Sequence, residues 1–332
     1  MDRRSFLGTG LGATAALAAD GVAAQAPART ARGGAGKPYL MKLGCQSGPS
    51  TDERFAYFAR YGVTNICARA KSSGGRLYST VEELAALKTM AEKHKLSLDI
   101  LEPELLPSSH IDREHPAIML ADSPERDRDI EAFQMLIRNA AAAGIPCIKY
   151  NMSLLGVLRT GTLPGRGDSR YLAWDENVPP EKPLTRAGPV DADRFWERIT
   201  YFLDRIVPVA QENKVRIACH PQDPGTPPQG YQGITNVLGT IEGMKRFIEI
   251  RPSAYHGFNF CQGTVSENLP DPQTQIFDVI RYFGSRKKIF NVHFRNIKGR
   301  RGKFQEVFPG RRRRGTWCAR FRPIARWATT GC

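Results

Sequence analysis

Val215-Arg216-Ile217-Ala218-Cys219-His220 is a β-rich run that closes on a histidine, and it follows closely on residues 192–212, whose apolar positions recur at helical spacing. A helix feeding a short strand is one unit of an alternating α/β chain. Outward from this unit the same alternation recurs. Strand runs are expected at 39–45, 63–68, 97–101, 147–151, 215–220, 256–261 and 289–293, and helices at 52–61, 80–95, 126–143, 192–212, 241–249 and 273–283. Thr80-Val81-Glu82-Glu83 has the capping-box pattern that starts a helix. No dinucleotide glycine fingerprint follows the first strand, which favours an α/β class (β/α)8 TIM barrel over an open doubly wound sheet. Seven strands are visible and an eighth is missing, so the barrel reads as incomplete.

The 332 residues are 41% hydrophobic and 9% aromatic, enough to fill a core, which excludes a disordered or collagen-like chain. Beyond the first twenty-odd positions no long uncharged apolar stretch could span a membrane. The formal charge of +15 suggests nucleic acid until it is located. Arg3, Arg4, Arg29, Arg32 and Lys37 against Asp2 and Asp20 give +3 in residues 1–37, and seven arginines without an acid give +7 in 310–332. The remaining +5 is an ordinary surface balance. The Arg-rich tail has no interleaved aromatics or known module, so neither a nucleic-acid nor a membrane partner is expected.

The amino terminus, with Arg3-Arg4-Ser5-Phe6-Leu7, a weakly apolar run to Ala19 and a cleavage pattern at Ala24-Gln25-Ala26, resembles a twin-arginine export signal over residues 1–26. The plainer alternative is an amphipathic first helix, which the short Gly/Ala-rich run argues against. Residues 27–37 read as a flexible linker. Gly33-Gly34-Ala35-Gly36-Lys37 is not a phosphate loop, because Ala31 stands where its first glycine belongs and Pro38 replaces the hydroxyl residue. The seven cysteines (45, 67, 147, 219, 261, 318 and 332) form no CxxC pair and argue against a disulfide framework. Export of an already folded, metal-loaded protein to the periplasm would reconcile reduced thiols with an oxidising compartment.

In such barrels chemistry gathers at the carboxyl ends of strands. Three consecutive runs end in His220, Cys261 and His293. Neighbouring parallel strands lie about 4.8 Å apart, so these side chains can converge on one ion. Two imidazoles and a thiolate suit Zn²⁺, Fe²⁺ or Mn²⁺. Each residue alone has a plainer reading, a hydrogen-bonded structural histidine or a small buried thiol.

Ala218-Cys219-His220-Pro221-Gln222-Asp223-Pro224 with Gly233-Ile234-Thr235, then Gly257-Phe258-Asn259-Phe260-Cys261-Gln262-Gly263-Thr264, and Val292-His293-Phe294-Arg295 resemble the metal-site motifs of the mannonate dehydratase family. The likeness extends through Gly144–Asn151 with Arg159-Thr160, and through Thr80-Val81-Glu82-Glu83-Leu84, covering roughly 40–309, with a shortened insertion after the fourth strand. The resemblance implies a metal-dependent barrel related to xylose-isomerase-like sugar isomerases. It further implies His220, Cys261 and His293 as three of four metal ligands, Mn²⁺ or Fe²⁺ as the cofactor with Zn²⁺ also tolerated, and D-mannonate as the sugar-acid substrate, converted to 2-dehydro-3-deoxy-D-gluconate. Homo-oligomerisation is compatible with the chain but not readable from it.

The residue types suit that chemistry. Removing the C2 proton beside a carboxylate builds up an enediolate that a cation must stabilise, and expelling the C3 hydroxyl needs a proton donor such as His or Tyr. Arg159 and Arg295 offer planar forks for the substrate carboxylate, or else form salt bridges. Asn151 can reach a sugar hydroxyl or cap the next segment. Asp223 supports His220 from behind or caps a helix, and Gln222 departs from the acid usual in the family.

The catalytic domain is read as 38–309, followed by a basic tail, 310–332, unlike the family. The resemblance implies an eighth strand ending in an Asp ligand and a His acid/base, and neither has a counterpart, so the catalytic acid and base stay unassigned. Back-translation of residues 310–315 and 315–332 in shifted frames permits Asp-Glu-Gly-Asp-Val and Asp-Met-Val-Arg-Ala-Leu, as if small insertions had displaced the frame. Two alternatives therefore stand beside a dehydratase: a sugar isomerase or epimerase on the same barrel, which Cys261 argues against, and an inactive truncated pseudoenzyme.

Overall fold

The apolar period over 192–212 becomes a helix with those bounds, begun by Asp191, whose side chain accepts the Arg194 backbone N–H at 2.9 Å. It buries Phe195, Trp196, Ile199, Phe202, Leu203 and Ile206 along one stripe. The computed structural model describes residues 41–46, 48–113 and 116–308. The expected signal (1–26), linker (27–37) and basic tail (310–332) lie outside these residues, as does the start of the first expected strand.

In chain order the elements are β1 (Gly44–Gln46), α1 (Asp52–Arg60), β2 (Asn65–Ala68), α2 (Val81–Lys93), β3 (Ser97–Leu101), α3 (Ala117–Leu120), α4 (Glu125–Ala142) and β4 (Cys147–Asn151). There follow β5 (Gly161–Pro164), β6 (Arg170–Asp175), α5 (Ala192–Glu212), β7 (Arg216–His220), α6 (Ile241–Ile250) and β8 (His256–Cys261). The last are α7 (Gln262–Glu267), α8 (Ile276–Ser285), β9 (Ile289–His293), β10 (Asn296–Arg300) and β11 (Lys303–Val307). The expected capping box is formed: Thr80 accepts from the Glu83 N–H at 3.2 Å while the Glu83 carboxylate accepts from the Thr80 N–H at 2.8 Å.

All seven expected strands form, and they make one parallel sheet in the order β1-β2-β3-β4-β7-β8-β9. The sheet is curled. Lys149 on β4 donates to Gln46 on β1 at 3.1 Å, although two strands intervene and a flat sheet would hold the backbones about 14 Å apart. Among the described residues no eighth parallel strand joins the sheet, so it has the form of an incomplete TIM barrel.

The outer face packs against helices. Phe258 lies against Phe247 of α6 and Phe283 of α8, with ring centroids 5.3 and 5.2 Å apart. All three rings are fully buried, each stabilising the fold by roughly 1.5–3 kcal/mol. A smaller cluster of Cys67, Ile100, Cys147, Ala218 and Phe290 lines the inner face. Gly257 makes room for it: a Cβ there would stand 2.8 Å from the Phe290 ring and from the Lys288 carbonyl.

Two features depart from the sequence reading. A separate antiparallel sheet, β10-β11-β6-β5, is built from the segment after β4 and the chain after β9. A short buried helix, α7, springs directly from Cys261. Both bear on the site, because they deliver the charges that surround it.

Candidate metal centre

β7, β8 and β9 are adjacent, and their last residues are His220, Cys261 and His293. Cys261 and His293 are register partners, and His220 pairs with Asn151 of β4. One ligand atom from each of His220, Cys261 and His293 lies within 4.8 Å of the others. The two imidazole rings stand 5.3 Å apart, tilted by 52°.

The protonation states suit a cation. Burial pushes the His220 imidazole down to about 4, against the pull of Asp223, and the Lys149 and Arg295 charges add to the effect. His293 is likewise held below its ordinary value, first by burial and then by His220 and Lys149. Both rings are therefore neutral and hold lone pairs at neutral pH. His220 Nδ1 lies 2.6 Å from the Pro221 carbonyl, and as the donor there it leaves Nε2 as the acceptor. Burial would raise the Cys261 thiol, yet the His293 hydrogen bond and the Arg295 charge outweigh it and lower the value. Cys219, buried one strand away without such charges, is pushed well above the usual thiol range by desolvation. The set of two neutral imidazoles and one activated thiol fits a borderline divalent ion.

The other expected site residues fall into two groups. Asn151 ends β4 opposite His220, is buried, and leaves its Nδ2 without a hydrogen-bond partner. It caps nothing through that amide, and an orphan donor beside the triad suits a ligand oxygen. Arg159, Arg295 and Asp223 instead join a buried ion cluster. Arg159 binds Asp223 at 2.9 Å and Glu306 at 2.6 Å. Arg295 binds Glu267 at 2.5 Å, Glu306 at 2.9 Å and Asp223 at 3.0 Å. Of the two readings open for each arginine, the salt bridge is the one realised: the Nη groups of both are paired with carboxylates from the chain, while Arg295 Nε is buried without a partner.

Asp223 also accepts from Thr264 Oγ1 at 2.9 Å, and it reaches His220 through its charge rather than by a contact with the ring. Burial opposes its ionisation, but the two guanidinium groups hold its carboxyl well below the usual carboxylate range. Glu267 goes the other way: burial and the neighbouring Asp223 charge raise its carboxyl well above the ordinary value. Two cations facing three carboxylates are neutralised when Glu267 keeps its proton. Gly263 permits this arrangement, since a Cβ there would stand 2.6 Å from Arg295 Nε. Gln222 is explained by its own bonds: its amide donates to the Met152 carbonyl at 2.9 Å and accepts from the Leu238 N–H at 2.7 Å, which a carboxylate could not do on both sides.

Two residues at the mouth carried no recognisable sequence signal. Glu267 sits in α7, too short for a period, and Lys149 alternates with apolar neighbours on β4 as an outward polar residue would. The structure turns Lys149 inward, nearly fully buried, onto Gln46 and Glu102 at 3.1 and 3.2 Å.

The chain is similar to known proteins. The family model described as D-mannonate dehydratase (UxuA) matches residues 174–315. A mannonate dehydratase of Thermotoga petrophila is 30% identical over 251 residues, which are 66% of each chain. The chain thus spans about 66% of the length of that curated relative. The crystal structure of mannonate dehydratase from Streptococcus suis serotype 2 superposes with a TM-score of 0.66 at 26% identity, covering 81% of this chain and 76% of that one. A xylose isomerase domain protein from Planctomyces limnophilus shares the fold at a TM-score of 0.53 and 13% identity, over 87% and 88% of the two chains. With the sequence motifs on β7, β8 and β9 lying inside the family-model match, the chain belongs to the mannonate dehydratase family.

Proposed function

We propose that the chain is a metal-dependent hydro-lyase that removes water from D-mannonate to give 2-dehydro-3-deoxy-D-gluconate. The observation that carries this reading is the convergence of His220, Cys261 and His293 within 4.8 Å at three adjacent strand ends. These residues would hold one divalent ion, Mn²⁺ or Fe²⁺ in preference, with Zn²⁺ tolerated by the same donors. When bound, the ion supplies the Lewis acidity that an enediolate beside a carboxylate requires.

The residues of the chain do the rest. Arg295 favours the thiolate of Cys261 by its charge. Asn151 offers its unpartnered amide N–H to a substrate oxygen. Asp223 acts by holding Arg159 and Arg295, so both arginines shape the mouth of the barrel instead of gripping the substrate. Among the described residues no helix is long and apolar enough to cross a membrane, and the twin-arginine pattern at Arg3-Arg4 supports export of the folded protein to the periplasm.

Metal analysis of the purified chain, coupled to a dehydration assay on D-mannonate, tests the reading. About one divalent ion per chain and release of the 2-keto-3-deoxy acid are expected. Metal binding with turnover of ketoses and none of D-mannonate would assign the chain to isomerase or epimerase chemistry instead.

A further inference from the structure

The paired Nη groups of Arg159 and Arg295 leave a question of charge. A sugar acid brings a carboxylate into the mouth of the barrel, where an uncompensated anion is costly. Their two positive charges already face Asp223, Glu267 and Glu306. Accepting another anion would mean breaking buried ion pairs.

The inward face of β4 carries a further buried cation. Lys149 and Asn151 are two residues apart on that strand and so share a face, and the register sets Asn151 opposite His220. Lys149 is 3% exposed, and within the chain its ammonium is directed to the Gln46 carbonyl oxygen and the Glu102 carboxylate. An ammonium has three donors, and these two bonds use two of them. Glu102 is itself shared with Arg69 at 3.6 Å. Lys149 also lies close enough to both imidazoles of the triad for its charge to disfavour protonation of each. A cation and an unpartnered amide N–H therefore stand side by side on the strand next to β7, facing the same mouth as the proposed metal ligands.

We infer that Lys149, with Asn151 beside it, binds the carboxylate of the sugar acid and is the residue that selects an acid over a neutral sugar. This rests on the sugar-acid reading above. Glu102 and Gln46 position the ammonium, and Glu102 competes with the substrate for it.

The test is a calorimetric titration of the full-length, metal-loaded protein with D-gluconate and with D-mannitol, which has the same carbon chain and no carboxylate. Wild type is expected to bind the acid at least tenfold more tightly. Lys149→Met should abolish that preference while metal content stays at the wild-type level, Lys149→Arg should keep most of it, and Glu102→Gln should tighten acid binding. Should Lys149→Met fail to fold, the Arg and Gln variants carry the test. Loss of the preference in Lys149→Arg, or unchanged acid binding in Glu102→Gln, would then count against the assignment. An unchanged preference in a folded Lys149→Met overturns the role of Lys149 alone. A wild-type protein that does not distinguish acid from alditol overturns the sugar-acid reading with it.

Discussion

Asp223 and Glu267 are two carboxyl groups in one buried cluster with opposite tendencies, and each follows from its neighbours. Asp223 accepts from both Arg159 and Arg295, so its ionised form is required. Glu267 has one oxygen buried without a partner, and burial with the neighbouring Asp223 charge raises its carboxyl well above the ordinary value. Asp223→Asn should therefore leave two guanidinium groups undercompensated and cost about 3–5 kcal/mol, whereas Glu267→Gln, at a carboxyl whose charge its surroundings disfavour, should cost clearly less. Chemical denaturation of the two variants at neutral pH measures the contrast, and equal losses would contradict it. These roles were not legible in the sequence. The guanidinium of Arg159 is visible there, but its partners are 64 and 147 positions away. Only the fold says what fills the fork. His220, Cys261 and His293 were legible because strand ends in a barrel converge whatever their sequence separation.

Among the elements, β8 serves both the site and the core. It ends next to His293, and it begins with His256, which is fully buried, donates from Nε2 to the Phe247 carbonyl at 2.9 Å, and packs on the Phe247 ring. Burial, with help from the Lys288 charge, holds His256 down to about 4. The unfolded chain takes up a proton near pH 6.5 that the folded chain refuses, so stability is full above that value and falls as the pH drops toward 4. Between pH 7 and 5 the loss from this residue should be about 2 kcal/mol. His220 contributes in the same direction over the same window. The comparison is therefore with His256→Gln, whose denaturation midpoints at pH 7 and 5 should differ less than those of wild type. An identical difference in both proteins would remove His256 from the account. Elements with a strong period were readable: α5 has the bounds its apolar spacing implies, and all seven parallel strands stand within the β-rich runs. The strands β5, β6, β10 and β11 were not, because Gly, Arg and Lys interrupt any alternation, and they are ordered by pairing with each other.

At the scale of the molecule, the ion cluster is one of the links between the antiparallel sheet and the barrel. Glu306 of β11 reaches Arg159, ahead of β5, and Arg295, just beyond β9. Glu306→Ala should loosen that sheet more than the barrel, seen as faster amide exchange in β5, β6, β10 and β11 with β4, β7 and β8 still protected. Uniform loosening would mean that the cluster supports the whole fold rather than the joint. The barrel class was readable from alternation, whereas the sheet across its mouth required the structure.

The account stands on a sulfur and two imidazoles meeting at one ion. X-ray absorption at the metal edge of the zinc-loaded protein should show one sulfur at about 2.3 Å with nitrogens at about 2.0–2.1 Å, and the sulfur should vanish in Cys261→Ser. A first shell of nitrogen and oxygen alone in the unmodified protein would contradict it.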